Sequence, residues 1–142
     1  VAGEPIYLNV YDTTFEVTQV PGFGVYHSGV CVFGEGSLPV MTRVEYTFGG
    51  GTSTSTGVFK HRPKTPQYGG DVYWYGLTGW KYRETLLIGS TKRSQVEVVT
   101  LIEEVKKEFP ANTYDLTARN CNHFSEALCT KLQVEFPSWV NR

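Results

Sequence analysis

The stretch Asn120-Cys121-Asn122-His123-Phe124 opens the segment that decides how this sequence folds. Asn120 is a good N-cap, because its side-chain oxygen can accept a hydrogen bond from an amide of the first helical turn. Phe124 and two later leucines follow at helical spacing, and Cys121 shares their face at 100° per residue. The sequence therefore predicts a helix that begins at Cys121 and turns this thiol toward the protein interior.

A second helix is predicted just upstream of this one. Ser94 with Glu97 three residues later has the pattern of a capping box, and apolar residues at helical spacing follow as far as Phe109. Pro110 cannot continue a helix and should end it. Another proline, Pro137, allows a short last turn through Trp139.

The remaining regular segments have strand character. Residues 6–11, 24–33, 43–48, 72–75 and 82–88 alternate or cluster β-branched and aromatic residues between Gly, Pro and Asp. More than half of residues 49–71 are Gly, Ser, Thr or Pro, and this segment is expected to be largely loop. We predict one α+β domain over residues 1–142, with a mostly antiparallel sheet of about five strands packed against two main helices.

Cys121 is the best candidate nucleophile among the three cysteines. The amides and the positive end of the dipole at a helix N-terminus favour a thiolate, and the same amides could hold an oxyanion. Cys129 lies roughly 12 Å farther along the helix and misses these amides. Asn120 is predicted to cap the helix and to support an oxyanion.

His27 is the best candidate base. His123 is only two residues after Cys121, about 200° around the helix, so the two side chains diverge. His61 falls in the predicted loop, where a solvated histidine is expected. His27 begins a predicted strand, whose rigid backbone and small neighbours would let its ring face a cleft. Cys31 lies about 13 Å along that strand and cannot replace Cys121.

Composition restricts the other function classes. Thirteen Lys and Arg oppose fourteen Asp and Glu without a basic run, so no surface for nucleic acid or anionic lipid is predicted. No apolar stretch reaches the roughly 18 residues of a membrane span, and no signal peptide is recognised at the start. We expect free cysteines and a cytoplasmic protein, with the nucleus as a second location. Cys121 and His123 lack the paired ligands of structural zinc, so we expect no metal and no cofactor.

Six segments together resemble the PPPDE family of deSUMOylating isopeptidases, particularly its longer eukaryotic branch. The resemblance covers nearly the whole chain. The segments are Leu8-Asn9-Val10-Tyr11-Asp12, Gly24-Val25-Tyr26-His27-Ser28-Gly29-Val30, Phe48-Gly49-Gly50, Leu87-Ile88-Gly89-Ser90-Thr91, Asn120-Cys121-Asn122-His123-Phe124 and Pro137-Ser138-Trp139-Val140-Asn141-Arg142.

The resemblance implies a permuted papain-like fold in which the strand residue His27 is the base and Cys121 the nucleophile. It also implies cleavage of isopeptide bonds at the Gly-Gly end of ubiquitin or a SUMO-like modifier, through a thioester on Cys121. The expected partners are thus ubiquitin- or SUMO-conjugated proteins. Gly49, Gly50 and Gly51 are candidates for the walls of the substrate cleft. Residues 48–54 depart from the usual family pattern, which bears on substrate preference.

Several alternatives stay open. The third residue that would orient His27 could be Asp12, Asp71, Asp115 or an asparagine. The same chemistry suits a protein S-depalmitoylase, and the pentad resembles the Asn-Cys-Glu-His-Phe motif of LRAT-like lipid enzymes, which differs only at residue 122. A non-catalytic adaptor that binds ubiquitin or SUMO is the alternative from another class.

Overall fold

The computed structural model describes residues 3–14, 26–33, 43–49, 54–61, 79–115 and 119–140. Its strands are β1 (Glu4–Thr14), β2 (Tyr26–Phe33), β3 (Arg43–Phe48), β4 (Val58–His61) and β5 (Gly79–Thr91). Its helices are α1 (Gln95–Lys107) and α2 (Cys121–Leu132), with short 3-10 turns at Ala111–Thr113 and Ser138–Val140. The described part is therefore an α+β domain, as the sequence predicts.

The five strands form one antiparallel sheet in the order β4-β3-β2-β1-β5. Four strands match predicted segments, and β1 and β5 extend beyond their predicted ends. The prediction of a loop over residues 49–71 is wrong at β4. Val58 and Phe59 supply apolar side chains that pack against the core, and β4 pairs with β3, which a local pattern of four residues does not reveal. The predicted strand 72–75 lies outside the described residues.

The two faces of the sheet carry different chemistry. Successive side chains of a strand point to opposite faces, so the even-numbered residues of β1 and β2 share one face with α1 and α2. That face forms the apolar core. Its fully buried members include Ile6, Leu8, Val10, Val30, Phe48, Val105, Phe124 and Leu128.

The opposite face of the sheet is polar and also buried. Asn9, Tyr11, His27, Glu45 and Thr47 are each 2% exposed or less. Glu45 accepts hydrogen bonds from Asn9 Nδ2 at 2.6 Å and from the Tyr11 hydroxyl at 2.8 Å. A buried carboxylate needs such donors, because leaving it without hydrogen bonds would cost several kcal/mol, as an order of magnitude. The polar residues of this face therefore form a hydrogen-bonded layer around His27.

The caps predicted for both helices are present. Ser94 Oγ accepts from the Glu97 amide at 3.2 Å, and the Glu97 carboxylate accepts from the Ser94 amide at 2.9 Å. In α2 the Asn120 side chain accepts from the amides of Asn122 and His123. None of the helices in the described part is long and apolar enough to span a membrane.

Candidate active site

The N-terminus of α2 is attached to β2 through Asn122. Its Nδ2 donates to the carbonyl oxygen of Tyr26 at 2.7 Å and to that of Val140 at 3.3 Å. Its Oδ1 accepts from the hydroxyl of Ser28 at 2.5 Å. The Ser28 hydroxyl also lies 3.0 Å from Ser125 Oγ, one turn farther along the helix. These contacts place Cys121 beside the strand that carries His27.

The Cys121 thiol lies against the backbone of β2. Its sulfur accepts from the amide of Ser28, which belongs to the peptide that joins His27 to Ser28. It also contacts its own amide, the Asn122 amide and the hydroxyl of Tyr114. Amides and a hydroxyl that converge on one atom are the donors that stabilise negative charge on a sulfur or on a nearby oxygen. This surrounding suits a nucleophilic thiol.

Sequence reasoning did not identify Tyr114. Its ring packs 5.1 Å from the Phe48 ring, between centroids, and Phe48 in turn packs 5.1 Å from Phe109. Phe109 also contacts Phe124 of α2, at 5.5 Å between ring centroids. This aromatic cluster positions the Tyr114 hydroxyl at the thiol. Tyr114 lies in an irregular segment with no periodic pattern, so the sequence contained no signal for it.

Burial dominates the protonation of the thiol. Cys121 is 3% exposed, and burial raises its pKa to about 11, although the amides of Ser28 and Asn122 and the Tyr114 hydroxyl act to lower it. The expectation of a favoured thiolate at this helix N-terminus is therefore wrong for the resting protein. Desolvation disfavours the charged form more than these donors favour it. The resting group is a thiol, and its reaction requires a base.

His27 is fully buried, which differs from the expectation that its ring would face a cleft. Because Ser28 points toward α2, the His27 ring leaves β2 on the opposite, polar face. There its Nε2 lies 3.3 Å from Thr47 Oγ1, and its ring packs 5.3 Å from the Tyr11 ring, between centroids. The structure thus brings Cys121 to the His27–Ser28 peptide and fixes the imidazole on the polar side of that strand.

The pairing of β2 with β3 does not extend to Ser28. Their pairing covers Val30 to Phe33, and the Ser28 carbonyl accepts from Thr47 Oγ1 at 3.0 Å. The Ser28 amide meets the Cys121 sulfur. Side chains from both faces of the sheet therefore reach the backbone of the same residue, Ser28.

The other predicted residues take different positions. Gly49 is buried, and its amide donates to the carbonyl of Gly57 at 3.0 Å, at the turn between β3 and β4. Gly50 and Gly51 lie outside the described residues, so the assignment of these glycines to a cleft wall stays a prediction. His123 Nδ1 accepts from the Asn120 amide at 3.0 Å and completes the helix cap.

The other candidate residues lie apart from the thiol or outside the described part of the chain. Asp115 is exposed, whereas the side chain of Asp12 and the whole of Asp71 lie outside the description. Cys31 and Cys129 are buried and form no disulfide bond within the described part, and burial raises the pKa of Cys129 to about 12. No three His, Cys, Asp or Glu side chains of this part lie close enough together to hold a metal ion.

The sequence also matches a known protein family. The profile described as "PPPDE putative peptidase domain" matches residues 4–142. The chain belongs to the PPPDE peptidase family. No solved structure matches it.

Three curated relatives are similar to this chain over almost its whole length. A desumoylating isopeptidase 1 homolog of Caenorhabditis elegans is 34% identical over 96% of this chain and 37% of the relative. A DeSI-like protein of Arabidopsis thaliana is 30% identical over 97% of this chain and 54% of the relative. The DeSI-like protein sdu1 of Schizosaccharomyces pombe is 29% identical over 96% of this chain and 62% of the relative. The chain thus spans between about a third and two thirds of the length of these relatives.

Proposed function

We propose that this PPPDE domain is a cysteine isopeptidase that removes a SUMO-like modifier or ubiquitin from conjugated proteins. The observation that carries the proposal is the contact of the Cys121 sulfur with the His27–Ser28 peptide, among amide and hydroxyl donors. Similarity to the C. elegans relative, a desumoylating isopeptidase 1 homolog, supports SUMO conjugates as the substrate class. Ubiquitin follows from the family resemblance alone.

In the proposed reaction, His27 takes the thiol proton as the Cys121 sulfur attacks the carbonyl carbon of the isopeptide bond. The carbonyl oxygen becomes an oxyanion, and the amides and the Tyr114 hydroxyl near the sulfur are its candidate donors. Collapse breaks the carbon–nitrogen bond, and the lysine amine leaves with the proton held by His27. Water, deprotonated by His27, then attacks the thioester carbonyl, the carbon–sulfur bond breaks, and His27 returns the proton to the Cys121 sulfur.

Burial of the site favours a substrate tail without side chains. Cys121 and His27 are 3% and 0% exposed, so the neighbours of the sulfur must move apart before a carbonyl carbon can reach it. A Gly-Gly tail needs the least movement, because glycine has no side chain to accommodate. Burial of the site therefore favours a ubiquitin-like C-terminus over a bulky acyl group as the substrate.

Asn122 supplies an argument against the LRAT-like alternative. Its Nδ2 donates to two backbone carbonyls, those of Tyr26 and Val140. The glutamate of the LRAT-like pentad has no such donor, and its carboxylate would face both carbonyl oxygens. The contacts of this chain therefore suit Asn at residue 122. S-depalmitoylation needs the same thiol chemistry and stays an alternative.

The proposal is tested with SUMO and ubiquitin probes that carry a C-terminal electrophile. We expect one of them to label Cys121, and Cys121→Ser and His27→Ala to abolish labelling. Cys129→Ala is the matched control, because Cys129 is a buried free thiol of the same helix. It should leave labelling intact.

Turnover assays separate the alternatives. Cleavage of SUMO or ubiquitin conjugates supports the isopeptidase, whereas release of acyl groups from thioesters alone would favour a depalmitoylase. Binding of a modifier without turnover would indicate the adaptor. Labelling that persists in Cys121→Ser would contradict the assignment of the nucleophile.

A further inference from the structure

Thr47 contacts Nε2 of His27, a position from which a residue can orient the imidazole ring. Its Oγ1 is 3.3 Å from His27 Nε2 and 3.0 Å from the carbonyl oxygen of Ser28. Both side chains are 0% exposed. Water is therefore excluded from the pair, and each polar atom depends on protein partners for its hydrogen bonds.

The hydrogen-bond chemistry of these three atoms defines the tautomer of His27. A carbonyl oxygen can only accept, so the contact with Ser28 uses the single hydroxyl proton of Thr47. The Thr47 oxygen is then an acceptor toward Nε2, and Nε2 must carry the imidazole proton. A neutral imidazole with its proton on Nε2 has its lone pair on Nδ1.

The rest of the polar layer holds the ring in that orientation. The Tyr11 ring packs tilted against the imidazole, with 5.3 Å between centroids and 46° between planes. The Tyr11 hydroxyl is anchored by both carboxylate oxygens of Glu45, each at 2.8 Å. Rotation of the imidazole would break the contact with Thr47 and disturb a ring that is itself anchored.

We propose that Thr47 is the positioning residue of the site, which fixes His27 with its proton on Nε2 so that Nδ1 accepts the proton of Cys121. This inference rests on the proposed function for its catalytic consequence. It assigns to a neutral hydroxyl the role for which the sequence offered acidic and amide candidates. A hydroxyl sets the tautomer and the orientation, and it adds no charge beside the imidazolium.

The tautomer is measured directly by two-bond ¹⁵N–¹H correlation spectra of His27 in the whole domain at a pH where the ring is neutral. We expect the wild-type protein to show a protonated Nε2 and an unprotonated Nδ1. Thr47→Val keeps the shape but removes the acceptor, so the spectrum should show a mixture of tautomers. Thr47→Ser retains the hydroxyl and should give the wild-type pattern.

Kinetic measurements with a conjugate that the protein cleaves then separate the positioning of His27 from substrate binding. Loss of one hydrogen bond to the imidazole should lower kcat roughly tenfold in Thr47→Val with KM unchanged, and Thr47→Ser should restore most of kcat. A purely structural role would lower the melting temperature without changing the tautomer.

An Nε2-protonated ring in Thr47→Val, together with wild-type kcat, would overturn the assignment of Thr47. A wild-type ring protonated on Nδ1 would overturn it as well. The spectra do not depend on turnover. A protein that cleaves no conjugate but shows the expected tautomers would therefore contradict the proposed function and support the role of Thr47.

Discussion

Replacement of Asn122 by alanine should destabilise the domain strongly, because this side chain joins three parts of the fold. It donates to the carbonyls of Tyr26 in β2 and Val140 after α2, and it accepts from the hydroxyl of Ser28. Asn122 is 2% exposed, so water does not replace these contacts after a small local change. Each such hydrogen bond contributes about 0.5–1.5 kcal/mol.

The expected loss for Asn122→Ala is therefore about 2–4 kcal/mol of the free energy of unfolding, from three hydrogen bonds of that size. For a domain of this length, about 1 kcal/mol shifts the melting temperature by roughly 2–4 °C, so a decrease of about 5–15 °C is expected. Urea unfolding gives the free energy, and thermal unfolding followed by circular dichroism gives the melting temperature.

Asn112→Ala is the matched control, since Asn112 is exposed in the short turn after α1. It should change the free energy of unfolding by less than about 0.5 kcal/mol. Asn122→Ala should also slow labelling of Cys121 by a SUMO probe, because α2 loses its attachment to β2. A loss no larger than that of Asn112→Ala would refute the view that Asn122 fixes the N-terminus of α2 against β2.

Two further predictions follow from burial and from close packing. The folded-state pKa of Cys121, about 11, lies above the ordinary value of 9.0, so the contribution of the protonated thiol to stability is complete below pH 9.0 and is lost toward pH 11. Cys121→Ala should lessen the fall in stability over that range. In the unchanged protein, iodoacetamide should alkylate Cys121 about 100-fold more slowly at pH 8 than it alkylates an exposed thiol. An alkylation rate whose midpoint against pH lies below pH 8 would contradict this. Gly29→Ala should cost about 1–3 kcal/mol in urea unfolding, because a Cβ there would overlap the Glu45 carboxylate that Asn9 and Tyr11 hold in place; an unchanged midpoint would show that Glu45 can move.

Local patterns were sufficient for most of the secondary structure. The caps at Ser94 and Asn120 depend on side chains within three residues of the amides that they bind, so their signal is contained in short segments. The strand β4 was missed because four residues in a Gly- and Ser-rich stretch carry little pattern, and its pairing with β3 stabilises it. Pairing between strands depends on tertiary structure and overrides weak local preferences.

The sequence by itself determined the α+β class, the start of α2 at Cys121 and the choice of Cys121 and His27 as the candidate pair. These conclusions need only helix periodicity, capping and the known preference of a thiolate for a helix N-terminus. The catalytic role of the pair remains a proposal. Family membership supports the proposed reaction class but gives none of the contacts.

Only the tertiary structure decided how the surroundings of the thiol act on it. Burial raises the pKa of Cys121 against the effect of the nearby amides, and this balance depends on residues far apart in the chain. The contacts of Tyr114 with the thiol and of Thr47 with the imidazole arise in the same way, from the packing of the sheet, α2 and an aromatic cluster. A sequence pattern reports the local backbone, whereas protonation and tautomer depend on the atoms that the fold brings together.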